Sequence, residues 1–229
     1  MDLSAEHLLA ITAIAAITAA LVAAARLHPG PWTRAACIAL AVILVAAEVG
    51  WWLYLATTGA RGADLASALP LQLCDAAIFI SALALVLRWQ LLVELTYFWG
   101  LAGTIQAVIT PDLPQHFPSF PFFQYYVAHG CIVAAALFLV AGLGRWPRRA
   151  ALLRVIVITI AYAFLVGTID ALTGANYMYL RSKPASASLL DLLGQWPWYI
   201  AWASLIGAML CFILDVPFRW LRSRPPAPT

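Results

Sequence analysis

The chain alternates long apolar stretches with short polar connections. Seven stretches approach the ~20 apolar residues that a helix needs to cross a bilayer, and none shows the alternation of a barrel strand. Backbone polar groups in hydrocarbon must be bonded within their own segment, so these stretches are predicted to be helices. The prediction is an all-α polytopic membrane protein, a seven-transmembrane-helix bundle that forms a single transmembrane domain over residues 1–229. The predicted spans are about 5–26, 33–58, 70–88, 90–110, 122–142, 150–173 and 198–220.

Composition also indicates a bilayer location. Hydrophobic residues make up 64% of the 229 residues and charged residues 10%, whereas a soluble domain carries roughly a quarter charged residues. The mean hydropathy is +0.90. The start of the chain carries Asp2 and Glu6 and no Lys or Arg, contrary to a signal peptide, so we expect the first stretch to remain as a span.

Basic residues are distributed unequally between the two sets of connections. Of the 13 basic residues, ten fall on one side and three on the other. Basic residues near spans concentrate in the cytoplasm, so the N-terminus is predicted outside and the C-terminus in the cytoplasm. We attribute the net charge of +3 to arginines that meet anionic lipid, and we expect no nucleic-acid partner. The ten are Arg26, Arg34, Arg88, Arg145, Arg148, Arg149, Arg154, Arg219, Arg222 and Arg224; the three are Arg61, Arg181 and Lys183.

Most polar residues within the predicted helices lie toward the outer side. An ionisable side chain in hydrocarbon persists where it faces a bundle interior or a wet cavity. We therefore expect one shared cavity that opens outward. Its predicted members are Glu48, Gln72, Cys74, Asp75, Gln106, His129 and Asp170.

The outer connection at 174–197 is long for a link between helices, and such loops are usually functional or disordered. Its Tyr, Trp and Leu content argues against disorder. We expect it to fold over the outer mouth as a lid, with a short interfacial helix at 188–194.

Cys74 and His129 are the candidate catalytic pair. A thiolate is the active nucleophile, and a helix N-terminus or a nearby histidine stabilises it. Cys74 falls at about the fourth position of the third predicted helix. His129 lies at matching depth, where it can act as general base and then return the proton to a leaving group. The group that orients the histidine stays open among Asp170, Glu48 and Asn176.

The same residues also fit structural roles. Asp75 and Asp170 can pair with Arg181 or with a backbone donor, and Glu48 can be a protonated packing residue. A lone histidine in a span is commonly an interhelical hydrogen-bond donor. The four cysteines show no CxxC or zinc-type spacing, so neither a metal site nor a cofactor is predicted.

Six short motifs match a known group of membrane proteins. They are residues 69–75 (LPLQLCD), 97–104 (YFWGLAGT), 125–130 (YYVAHG), 176–181 (NYMYLR) with Lys183-Pro184, 188–191 (SLLD) and 196–199 (WPWY). Over roughly residues 40–215 the chain resembles the YwaF-like bacterial membrane proteins. It is more distantly similar to the vertebrate transmembrane protein 164, through a Pro-x-x-x-Cys start, a Tyr-Tyr-x-x-His and a Pro-Trp-Tyr.

The resemblance implies a lipid acyltransferase that is a multi-pass protein of a bacterial cytoplasmic (inner) membrane. The vertebrate relative is regarded as moving acyl chains between glycerophospholipids through a cysteine and a histidine that match Cys74 and His129. That relative has histidine after its cysteine where this chain has Asp75, so the electrostatics around the thiol differ.

The leading interpretation is therefore a membrane acyltransferase or acyl hydrolase that acts on a glycerophospholipid or another acyl ester. Gln72, Gln106 or a backbone N–H is expected to stabilise the oxyanion, and Arg181 and Lys183 to pair with lipid phosphate. The alternative is a non-catalytic carrier or sensor of a lipid or small molecule that uses the same cavity. The predicted substrate contacts are Asp75, Tyr177, Tyr179, Arg181, Lys183 and Trp198.

Overall fold

A computed structural model describes residues 4–59, 69–111, 113, 115–184 and 188–223. Over those residues the chain is helical and contains no strand, which confirms the all-α prediction. Two residues that entered the predicted charge asymmetry, Arg61 and Arg224, lie outside the described part.

Seven apolar helices account for most of the described chain. They are α1 (Ala5–Leu27), α2 (Trp32–Thr58), α3 (Leu73–Leu87), α4 (Gln90–Ile109), α5 (Phe120–Gly142), α6 (Ala151–Thr173) and α7 (Trp198–Ser223). Within α4, Gln90–Phe98 and Ile105–Ile109 are α-helical and Trp99–Thr104 is π-helical; α5 ends in a π segment at Phe138–Gly142.

Six of these helices are long and apolar enough to cross a membrane, so the protein is a multi-pass membrane protein. The seventh, α3, has 15 residues and extends about 22 Å at 1.5 Å per residue, less than the ~30 Å hydrocarbon core. The apolar pattern predicted a start at residue 70, whereas α3 begins at Leu73.

The core is built around α4 and α5. More than half of the apolar window of each is buried, 56% and 61%, against 11% for α1, α6 and α7. Small side chains allow this close approach, which is the usual basis of helix packing in membranes. On Gly100, for example, an added Cβ would lie 3.2 Å from the Cβ of Ala136 and 3.3 Å from Ile132 Cγ2.

Paired charges stabilise the end of the bundle at which α4 begins. Glu94 is fully buried, and its carboxylate accepts hydrogen bonds from Arg148 and Arg154, with the closest N–O distance 2.9 Å in each case. On α7, Asp215 accepts from two further arginines, Arg219 at 2.6 Å and Arg222 at 2.9 Å. Such pairing offsets much of the free-energy cost of burying a carboxylate.

Candidate functional site

The N-terminus of α3 forms the floor of the candidate site. Gln72 is the N-cap, and its N–H donates to the Asp75 carboxylate at 3.2 Å, which is half of a capping box. Cys74 is therefore the second residue of α3, nearer to the helix start than the predicted fourth position. The N–H groups of a first turn lack intrahelical acceptors and carry the positive end of the helix dipole.

The thiol of Cys74 is partly exposed and has a neighbour on α4. A hydrogen bond joins it to the hydroxyl of Thr104, which is buried at the last position of the π segment Trp99–Thr104. One residue earlier, a Cβ added to Gly103 would lie 3.5 Å from Leu73 Cδ2. Helix α3 therefore begins directly against the π segment, a type of irregularity that often marks functional positions.

His129 is held in one orientation by its own helix. Its Nδ1 lies 2.7 Å from the Tyr125 carbonyl oxygen, and the two rings stack with their centroids 4.1 Å apart. A carbonyl only accepts, so Nδ1 carries the hydrogen of the neutral imidazole and Nε2 presents its lone pair. Among the described residues Nε2 has no hydrogen-bond partner. This tautomer suits a general base.

The register between α4 and α5 gives the depth of His129 relative to Cys74. On these antiparallel helices Gly100 packs against both Ile132 and Ala136, and the Tyr125 hydroxyl donates to the Ala107 carbonyl at 2.9 Å. Counting from these contacts, His129 lies opposite one turn of α4, residues 103–107, which includes the residue that bonds Cys74. The two side chains thus approach the same turn of α4 from different helices. No hydrogen bond joins them in the part of the chain that the structure describes.

The lid closes over the start of α3. The Met178 N–H donates to the Gln72 side-chain oxygen at 2.8 Å, and the Leu69 N–H donates to the Tyr177 hydroxyl at 2.7 Å. From α6, the Tyr162 hydroxyl donates to the Leu71 carbonyl at 3.0 Å. Non-helical backbone at membrane depth is tolerated only where protein groups or a cavity satisfy it. These contacts allow α3 to start late.

Three of the predicted residues organise the lid itself. The Asp170 carboxylate is fully buried and accepts a hydrogen bond from the Tyr177 N–H at 2.9 Å. Asp170 thus bonds a backbone donor, which is one of the structural roles predicted for it. Arg181 donates to the carbonyls of Asp170 and Ala175, at 3.4 and 3.2 Å, and so bonds the C-terminal end of α6. Asn176 bridges the loop through bonds to Arg181 and Ser182.

The other predicted residues occupy several environments. Glu48 is buried in α2 and accepts from Trp52 at 2.8 Å, while Gln106 is exposed on α4. Lys183 pairs with Asp191 at 3.6 Å. Trp198, the first residue of α7, is 67% exposed.

The lid contains short helices as well. The short helix predicted at 188–194 is present as a 3-10 helix at Leu189–Leu193, and a second one spans Tyr177–Tyr179. The location of the first at the membrane interface stays a prediction. The carbonyl of Tyr179 accepts a hydrogen bond from the Tyr199 hydroxyl, which joins the lid to α7.

Sequence reasoning missed three residues that contact the candidate pair or its surroundings. Thr104 bonds Cys74, Tyr125 fixes the His129 ring, and Tyr162 bonds the chain just before α3. Thr104 and Tyr125 fall inside motifs 97–104 and 125–130, so membership in these motifs was the sequence feature that could have identified them. Within the described residues no group of three or more His, Cys, Asp or Glu side chains is placed to hold a metal ion.

Comparison with known proteins gives one family. The sequence profile of the TMEM164 family matches residues 3–215, which is nearly the whole chain. Neither the curated proteins nor the solved structures contain a match.

Proposed function

Because the chain belongs to the TMEM164 family, we propose that it is an integral membrane lipid acyltransferase or acyl hydrolase whose nucleophile is Cys74 and whose general base is His129. The observation that carries this proposal is the common depth of the two side chains beside Thr104. The thiol lies in the first turn of α3, and the imidazole presents Nε2 without a partner among the described residues.

The proposed reaction has two balanced half-reactions. In the first, the Cys74 thiol transfers its proton to His129 Nε2 while the sulfur attacks the acyl carbonyl carbon of a lipid ester. The tetrahedral intermediate collapses, the ester C–O bond breaks, and His129 returns the proton to the leaving alkoxide. In the second, an acceptor hydroxyl or water transfers its proton to His129 and attacks the thioester, and the proton then passes to the released thiolate.

We assign oxyanion stabilisation to backbone N–H groups in the first turn of α3. Such groups point toward an anion at a helix start and need no reorganisation during the reaction. The Gln72 side chain, one of the predicted oxyanion groups, accepts the Met178 N–H through its oxygen, which leaves its NH₂ to serve as a further donor. The exposure of Gln106 disfavours it.

The lid would contact the substrate headgroup. Arg181 and Lys183 carry positive charge near the outer end of α6 and α7, and both suit a lipid phosphate. We propose that Asp75, Tyr177, Tyr179 and Trp198 line the same entrance.

The topology belongs to the same proposal. We propose seven crossings, with α3 as a shortened span that is completed by the lid, an N-terminus outside and a cytoplasmic C-terminus. The corresponding location is a bacterial inner membrane, and the corresponding subgroup is YwaF-like.

The decisive test replaces the two reactive groups one at a time. Cys74→Ala and His129→Gln should each reduce acyl exchange by at least about a hundredfold, because each removes an essential proton or acyl carrier. Purified protein in lipid nanodiscs, with an isotopically labelled phospholipid as donor and a lysophospholipid or water as acceptor, gives the rate by mass spectrometry.

Cys131→Ala is the matched control, since Cys131 is another partly exposed thiol two residues from His129. It should retain the wild-type rate. Full activity in Cys74→Ala would contradict the mechanism. Lipid binding without any wild-type turnover would favour the carrier or sensor instead.

A further inference from the structure

An apolar groove of about 420 Å³ lies between α1, α4 and α5. Its lining consists of aliphatic side chains and one hydroxyl, that of Thr18, whose oxygen is buried without a hydrogen-bond partner among the described residues. A polar headgroup would lose its hydrogen bonds in such a groove, whereas an apolar chain loses none. The groove therefore suits a hydrocarbon.

The groove passes the level of His129. Three of its lining residues, Val133, Leu137 and Ala141, follow His129 on α5 at successive intervals of four. Residues four apart on a helix lie on nearly the same face, one turn after another. The stripe that forms this wall thus continues from the candidate base toward the far end of α5.

Helix α1 forms the second wall of the groove, and one contact gives its depth relative to His129. A Cβ added to Gly130, the neighbour of His129, would lie 2.7 Å from Ile14 Cγ1, so Ile14 marks the level of the candidate site on α1. Ala19 and Val22 also line the groove. At 1.5 Å per residue they lie about 7 and 12 Å beyond that level.

We propose that this groove holds an acyl chain of the lipid substrate, with the ester carbonyl at the level of His129 and the chain directed along Val133, Leu137 and Val22. The proposal rests on the proposed function. The groove opens onto α1, of which only 11% of the apolar window is buried, so it is continuous with the surface that this membrane protein presents to lipid. Its reach of about 12 Å below the site approaches one leaflet of hydrocarbon, ~15 Å.

Two variants in which an alanine of α1 is replaced by phenylalanine test the proposal, through the enzyme's preference for acyl-chain length. Ala19→Phe places a ring in the groove about 7 Å beyond the site level. Ala16→Phe adds the same ring at an exposed position that does not line the groove. Ala19→Phe should lower the ratio of eighteen-carbon to twelve-carbon acyl transfer about tenfold, and Ala16→Phe should leave the ratio unchanged. Equal ratios in the two variants would overturn the proposal.

A binding readout separates this proposal from the catalytic one. Phosphatidylethanolamine with a diazirine at the end of one acyl chain is irradiated with the full-length Cys74→Ala protein in nanodiscs. Labelling should concentrate in residues 18–22 and 133–141, and an added Ala19→Phe substitution should remove it. Labelling spread evenly over the lipid-facing helices would overturn the groove. Concentrated labelling together with an inactive wild type would overturn the proposed function and leave the groove standing.

Discussion

At the residue scale, the hydroxyl of Thr104 contacts the thiol of Cys74. Its hydroxyl is buried, and it bonds the sulfur from the last position of a π segment. His129 is fixed independently, through the Tyr125 carbonyl. Each reactive group thus has its own support, so the two supports can be removed separately. This independence makes the role of Thr104 measurable.

Thr104→Val should slow acyl transfer about three- to tenfold, because one net hydrogen bond contributes about 0.5–1.5 kcal/mol. The loss should appear in kcat with little change in KM, since the hydroxyl contacts the proposed nucleophile. Steady-state kinetics with a labelled phospholipid gives both constants.

Thr104→Ser keeps the hydroxyl and should recover most of the rate. Thr168→Val is the control, because Thr168 is exposed and bonds only the Phe164 carbonyl in its own helix. Equal losses in Thr104→Val and Thr104→Ser would show that the side-chain volume matters and the hydrogen bond does not.

At the element scale, α3 and the lid depend on each other. The backbone just before α3 is bonded by Tyr162 of α6 and by Tyr177 of the lid. The Met178 N–H of the lid bonds the side chain of the N-cap residue Gln72. The lid in turn is bonded to the end of α6 through Asp170 and Arg181. An opening of the lid would therefore uncover the start of α3, where Cys74 lies.

Tyr177→Phe tests this dependence. It leaves the Leu69 N–H without its acceptor, which costs about 1–3 kcal/mol in the closed lid. The lid should open more often, and a water-soluble maleimide should modify Cys74 about tenfold faster, as measured by mass spectrometry of the Cys74 peptide.

Tyr54→Phe provides the comparison, since the Tyr54 ring packs on Trp51 and Phe120 far from the lid along the chain. It should not change the labelling rate. An unchanged rate in Tyr177→Phe would show that the lid does not control access to Cys74.

At the scale of the whole molecule, positive charge collects at one end of the bundle. Two contacts bring the end of α1, the end of α5 and the start of α4 together at this end. Arg26 bonds the Ala141 carbonyl at 2.6 Å, and Gln90 bonds the Trp146 carbonyl at 2.7 Å. The buried Glu94 joins the start of α4 to Arg148 and Arg154 at the same end. Basic residues favour the cytoplasmic side, so this end should face the cytoplasm.

Reporter fusions at the two termini check the orientation. Green fluorescent protein fused after Thr229 should fluoresce, and alkaline phosphatase at the same position should be inactive, because the first requires the cytoplasm and the second the outside. The two reporters should give the reverse result before Met1. Identical results at both termini would require an even number of crossings and would contradict the proposed seven.

Much of the fold could be predicted because hydrophobicity is a local property. A long apolar run that faces lipid and lacks the alternation of a barrel strand has to be helical, and over its described residues the chain is helical and has no strand. The start of α3 could not be read in this way. Pro70 and Leu71 look like the beginning of a helix, but Leu71 and Gln72 bond Tyr162 and Met178 instead.

The sequence alone determined that the chain spans a membrane, and it singled out Cys74 and His129 for examination, since apolar length and helix direction are written in the order of residues. Only the tertiary structure decided that Thr104 bonds Cys74, that Asp170 bonds the lid, and that Met178 bonds Gln72 from 106 positions away. These contacts depend on how each helix is rotated and on where a returning loop comes to rest. Both follow from packing among all the helices, which no single stretch of sequence encodes.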